Sequence, residues 1–113
     1  MANKADVLKG TLDLMILKAL SFGPDHGFGV AKWIHTTTAG ALQIDDGALY
    51  PALHRLVARD WLRAEWGVSE NNRKAKYYQL TPLGRRELRQ ELSAWQRFAL
   101  AMTKIVQAEP GVA

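Results

Sequence analysis

The chain has 113 residues, of which 48% are apolar and 23% are charged; these proportions are typical of one folded domain and exclude a disordered chain. It contains no cysteine, which excludes a disulfide scaffold, thiol catalysis and a zinc site built on thiolates. Fifteen lysines and arginines against eleven acids give a net charge of +4, and the excess lies in the second half of the chain, which favours a polyanionic partner.

The first predicted helix begins near Leu8 and is apolar on nearly all sides. Leu8, Leu12 and Met15 follow helical spacing, while Leu14, Ile16 and Leu17 occupy the other faces. Such a helix is expected to be central and buried. Gly23-Pro24 ends it, because proline cannot continue a helix.

A second helix is predicted to begin at Asp25 or His26, whose side chain can cap the first-turn amides, and to end before Gly40. The segment 42–44 alternates as a very short strand would.

A third helix is predicted from Asp45 or Asp46, with four apolar side chains facing the core: Leu49, Leu53, Leu56 and Val57. This spacing leaves Tyr50, Pro51, His54 and Arg55 on or near its outer side. Pro51 lies so near the helix start that we expect a slight kink and no break.

From Trp61 the apolar residues no longer follow helical spacing but alternate with polar ones, at every second position. This pattern predicts two strands joined by a polar, positively charged tip. The tip contains Asn71-Asn72, which tolerates a left-handed backbone, and the bases Arg73, Lys74 and Lys76 lie beside it.

Thr81-Pro82 predicts the start of the last helix, as an N-cap followed by proline. Its long apolar stripe has little left in the domain to cover it, so we expect it to form a dimer interface. The residues of that stripe are Leu88, Leu92, Trp95, Ala99, Met102 and Val106.

Three helices followed by a hairpin predict a mainly α (α+β) fold, a winged helix-turn-helix with a long C-terminal dimerisation helix. We divide it into a DNA-binding domain (1–80), the dimerisation helix (81–108) and a disordered tail (109–113). The third helix is expected to enter the major groove of double-stranded DNA, and the hairpin tip to reach the adjacent backbone or minor groove. The predicted DNA contacts are Tyr50, Pro51, His54, Arg55, Asn72, Arg73, Lys74 and Lys76, and we expect the third helix and the tip to hold most of the positive charge.

Four segments closely resemble the PadR family of winged-helix transcriptional regulators: 10–17 (GTLDLMIL), 23–30 (GPDHGFGV), 47–56 (GALYPALHRL) and 76–85 (KYYQLTPLGR). The resemblance covers about residues 8 to 95. It implies a homodimeric repressor that binds a two-fold-related operator. It also implies a possible small hydrophobic or phenolic effector stacked on Trp95 and Phe98. Asp60 stands where the family often has glycine, so we expect it in a left-handed turn.

An enzyme is not expected. The three histidines lie on different elements without metal-ligand spacing, no motif for catalysis or phosphate binding appears, and no cofactor is predicted. No apolar run approaches the ~20 residues of a membrane helix, and residues 1–6 lack a signal-peptide layout, so we expect a cytoplasmic protein. The alternative function is a winged-helix adaptor that binds protein and no DNA.

Overall fold

The computed structural model describes residues 4–111, with side chains from Gly10 onward. The elements are α1 (Lys4–Leu20), β1 (Asp25–His26), α2 (Gly27–Thr37), α3 (Asp46–Ala58), β2 (Leu62–Val68), β3 (Lys74–Leu80) and α4 (Pro82–Gln107). The mainly α fold with a small sheet confirms the predicted fold class. The side chain of Leu8 and the chain ends, including the last two residues of the predicted tail, lie outside the described residues.

Helix α1 lies at the centre of the core, as its apolar sequence predicts. Ile16, Leu17 and Leu20 are fully or almost fully buried, and they pack with the inward faces of α2 and α3. The inward face of α3 consists of Leu49, Ala52, Leu53 and Leu56, none of which is exposed to solvent. Burial of these side chains is the main force that holds α3 against the body of the domain.

The three strands form an antiparallel sheet in the order β1-β3-β2. Strand β2 pairs with β3 from Leu62 opposite Leu80 to Val68 opposite Lys74. Strand β1 pairs along the other edge of β3, with His26 opposite Tyr77. The hairpin of β2, β3 and the tip 69–73 between them is the wing.

The short strand predicted at 42–44 is wrong. That segment is irregular and largely exposed, because the free edge of β3 is already occupied by Asp25–His26. An alternation of three residues is too short to predict a strand reliably. The sequence pattern also does not show whether a sheet edge is available for the segment to pair with.

Three predicted helix starts are confirmed by their caps. His26 Nδ1, Asp45 Oδ1 and Thr81 Oγ1 each accept a hydrogen bond from a first-turn amide, at 2.9 Å in every case. Helix α3 continues through Pro51 without a break. None of the helices within residues 4–111 is long and apolar enough to cross a membrane.

The start of α4 is joined to the turn between α3 and β2. Thr81 is buried; its hydroxyl donates a 2.6 Å hydrogen bond to the carbonyl oxygen of Asp60, and its amide donates to that of Trp61. Gly84 lies so close to the Trp61 carbonyl that a Cβ there would overlap it. Asp60 adopts the predicted left-handed backbone, with φ of 63°.

Candidate DNA-binding surface

The outer face of α3 presents uncharged groups. Tyr50, Pro51 and His54 are exposed as predicted, and they share this face with Gly47 and Ala58 at helical spacing. Two acids, Asp45 and Asp46, stand at the N-terminus of the helix. The expectation that this face holds much of the positive charge is wrong for Arg55, which is paired with α1, whereas Arg59, just after the helix, remains half-exposed.

Arg55 points into the protein. Its Nη2 donates a 2.6 Å hydrogen bond to Oδ1 of Asp13, a buried acid on α1. Arg59, just after α3, lies with its guanidinium 5.4 Å from the centre of the Trp61 ring and 3.9 Å from Asp13. A buried carboxylate needs such partners, since an unpaired buried charge is costly. Arg55 therefore holds α3 to α1, and we remove it from the set of DNA contacts.

Tyr50 packs against α2 on one side and is exposed to solvent on the other. Its ring packs against Gly27 at the first turn of α2, where a Cβ would come within 2.9 Å of the ring. Nearly half of the side chain nevertheless remains exposed. The absence of a side chain at Gly27 thus lets Tyr50 bridge the two helices of the helix-turn-helix unit while it stays open to a ligand.

The wing tip is a tight, ordered turn. The Ser69 amide donates to the Arg73 carbonyl oxygen and the Asn72 amide to that of Ser69, both at 2.8 Å. Asn72 has φ of 59°, the left-handed conformation that its side chain tolerates. The tip presents Asn72 and Arg73 to solvent.

Lys74 and Lys76 lie on one face of the wing together with Trp66. Their Nζ atoms are 4.9 and 5.9 Å from the centre of the indole ring, within cation–π range. Trp66 is not a core residue, since 61% of it is exposed. The indole therefore restrains two ammonium groups at the surface, where they remain available to phosphate.

His26 joins the wing tip to α2. While its Nδ1 caps the helix, its Nε2 lies 3.3 Å from Oε2 of Glu70 at the tip. The ring also packs edge-on against Tyr77 with centroids 5.3 Å apart. Hydrogen bonding to its own backbone amide and, next, to His26 lowers the pKa of Glu70, so this carboxylate is ionised at neutral pH.

The apolar stripe of α4 divides into two parts. Leu88 is buried in the core of its own chain and Leu92 packs partly against it, so Leu88 is not available to a partner. Beyond Leu92 the apolar stripe no longer packs against the core of its own chain, and most of its side chains are exposed to solvent. They are Trp95, Phe98, Met102, Ile105 and Val106, with Ala99 half-buried among them. The Trp95 and Phe98 rings pack with centroids 5.9 Å apart.

A sequence model of the transcriptional regulator PadR-like family matches residues 16–90. The chain belongs to this family of transcriptional regulators. The family and its named structural relatives are regulators and not enzymes, and the resemblance found in the sequence is confirmed. The matched segment contains α2, α3 and the whole wing, whereas the open stripe of α4 lies beyond it.

Individual relatives share the fold or part of the sequence of this chain. A transcriptional regulator from Clostridium thermocellum has the same fold with a TM-score of 0.81 and 28% identity, over 90% of this chain and 99% of that chain. A PadR-like transcriptional regulator from Bacillus cereus shares the fold with a TM-score of 0.77 and 23% identity, over 92% of this chain and 99% of that chain. An uncharacterized protein of Lysinibacillus sphaericus is 28% identical over 92 residues, 81% of this chain and 84% of that protein.

Sequence reasoning missed three side chains of this PadR-like surface: Asp13, Trp66 and Glu70. Asp13 was signalled by being an acid within a helix that is apolar on nearly all sides, a position that requires a partner. Glu70 carries no local signal, since its partner His26 is 44 residues away. No group of metal-binding side chains is assembled within the part of the chain that the structure describes.

Proposed function

We propose that this PadR-like regulator is a cytoplasmic homodimeric repressor that binds a two-fold-related operator in double-stranded DNA. The observation that supports the proposal best is that the proposed DNA-binding surface consists of an uncharged helix face and a basic wing. An uncharged face with Tyr50, Pro51 and His54 suits contact with base edges, and the wing places three bases beside it for phosphate.

The wing supplies the electrostatic part of binding. Asn72 and Arg73 stand at the tip, and Lys74 and Lys76 flank Trp66. Charges on an ordered hairpin lose less conformational entropy on binding than charges on a mobile loop. The proposed DNA contacts are therefore Tyr50, Pro51, His54, Asn72, Arg73, Lys74 and Lys76.

The open stripe of α4 is the proposed dimer interface. Large exposed side chains at helical spacing favour a partner of the same kind, and a second copy of α4 provides one. Leu92, Trp95, Ala99, Met102 and Val106 form this interface, with residues 81–108 as the dimerisation helix. Trp95 and Phe98 offer a stacked aromatic pair at the seam, which we propose as the place for a small hydrophobic or phenolic effector.

Selection of bound sequences from a random duplex library, followed by footprinting, tests the function. We expect protection of two related half-sites about one helical turn, or ~10 bp, apart. Changing Arg73, Lys74 and Lys76 together to alanine should flatten the plot of log affinity against log salt by roughly 0.9 for each phosphate that the variant no longer neutralises.

The matched control changes Arg85, Arg86 and Arg89 to alanine, which removes the same charge from α4 instead of the wing. This control should keep most of the slope. Absence of any salt-dependent duplex binding by the wild-type protein would refute the proposal and favour a protein adaptor.

A further inference from the structure

The contact between His26 and Glu70 connects the wing tip to the start of α2. His26 belongs to three elements at once: its backbone pairs with β3, its Nδ1 caps α2 and its Nε2 reaches the wing tip. The phenol of Tyr77, against which the ring packs, donates a 3.1 Å hydrogen bond to the Val68 carbonyl oxygen at the end of β2. Only Glu70 reaches this junction from the tip itself among the described residues.

The hydrogen bonds assign the protonation of the imidazole. Nδ1 accepts from the Gly29 amide, so in the neutral ring the proton is on Nε2. Nε2–H then donates to the Glu70 carboxylate. Asp25 lies 3.7 Å from Nδ1 but points its carboxylate to the His26 amide, which donates to it at 2.8 Å. The imidazole is thus used on both sides, once for the helix and once for the wing.

The negative charge of Glu70 opposes the binding of the wing to a polyanion. Glu70 is an exposed acid at the wing tip, where the nearest charged residues in the chain, Arg73 and Lys74, are bases. Charge alone makes an acid at this place unfavourable for binding a polyphosphate, because it repels the backbone. An acid there is useful if it holds the wing in place.

We propose that the His26–Glu70 hydrogen bond is a latch that positions the wing for its contact with DNA, so that Glu70 increases DNA affinity in spite of its negative charge. The latch rests on the proposed function, since it acts on the same wing. Glu70 and His26 are positioning residues here, and the bases of the wing make the contact.

Two substitutions of Glu70 separate the latch from simple electrostatics. Glu70→Gln removes the charge but keeps an oxygen that accepts from Nε2, so affinity for the selected operator should equal or exceed that of the wild type. Glu70→Ala removes the charge and the acceptor, so affinity should fall about tenfold, with a salt slope flatter by about one or two units. Electrostatics alone predicts that both variants bind more tightly.

His26→Asn tests the other half of the contact. Asparagine is among the best N-caps, so α2 keeps its cap, whereas the shorter side chain does not reach Glu70. This variant should bind as weakly as Glu70→Ala, and combining the two should add no further loss. Glu65→Ala removes a charge from β2, away from the tip, and should slightly strengthen binding.

Affinities are measured by fluorescence anisotropy with the full-length protein at several salt concentrations, and circular dichroism verifies that each variant is folded. Equal binding by Glu70→Ala and Glu70→Gln, or tighter binding by Glu70→Ala than by wild type, overturns the latch and leaves the proposed function standing. Because Glu70 is exposed, these two variants decide the matter even if His26→Asn does not fold. A wild-type protein without salt-dependent duplex binding overturns both proposals.

Discussion

Arg55 on α3 and Asp13 on α1 form a 2.6 Å ion pair beneath the proposed DNA-reading face. Both side chains are largely buried, and the pair connects the central helix to the helix that presents Tyr50 and His54. An arginine on the helix that is predicted to enter the major groove thus forms an ion pair inside the protein. The orientation of α3 depends on a charge pair as well as on apolar packing.

Removing one partner of this pair should destabilise the protein. Asp13→Leu leaves the Arg55 guanidinium without its carboxylate, and we expect a loss of about 3 kcal/mol in the free energy of unfolding. Asp13→Leu combined with Arg55→Met should regain most of it, since an apolar pair replaces the two ions. Urea denaturation at fixed protein concentration measures both. If Arg55→Met flattened the salt dependence of DNA binding, Arg55 would return to the set of phosphate contacts.

Alanine at Gly84 should be poorly tolerated. Its Cβ would overlap the Trp61 carbonyl oxygen, so the first turn of α4 or the turn after α3 must move. We expect a loss of about 3 kcal/mol, a typical magnitude for severe overpacking. Gly10→Ala is the matched control: this helical glycine has nothing within 4 Å of the added Cβ, and alanine should stabilise α1 by about 0.5 to 1 kcal/mol. Thermal unfolding of the two variants should show shifts of opposite sign.

Glycine at position 60 should stabilise the protein. Asp60 has φ of 63°, a conformation that costs an ordinary residue roughly 1 kcal/mol and that glycine adopts without steric cost. Its carbonyl oxygen, which accepts from Thr81, is unaffected by the change. We expect Asp60→Gly to raise the unfolding midpoint by a few degrees. A lower midpoint would show that the aspartate side chain contributes more than its backbone strain costs.

Charges on the open stripe of α4 should abolish the proposed dimer. Trp95→Glu combined with Met102→Glu places carboxylates in the apolar seam, whereas neither side chain is needed in the core of the monomer. Sedimentation velocity should report monomers. Leu100→Glu is the control, because Leu100 is also exposed but lies on another side of the helix, five residues after Trp95. A dimer that survives the double substitution would place the interface elsewhere.

The fold was predictable because its signals are local. Caps at His26, Asp45 and Thr81, and the change of apolar period at Trp61, each act within a few residues. The candidate surface was only partly predictable. Tyr50, Pro51 and His54 follow from helical spacing, but the inward turn of Arg55 depends on Asp13, 42 residues away. The His26–Glu70 contact is likewise a pairing of distant residues, which a single sequence does not encode in any periodicity.

The hydroxyl of Thr81 bears on the half-site spacing of the proposed operator. It binds the start of α4 to the turn that follows α3, and so it helps to set the angle between the two helices. If α4 pairs with its copy, that angle determines the distance between the two copies of α3. Operators with one or two base pairs more or fewer between their halves should therefore be rejected by geometry, whatever their sequence.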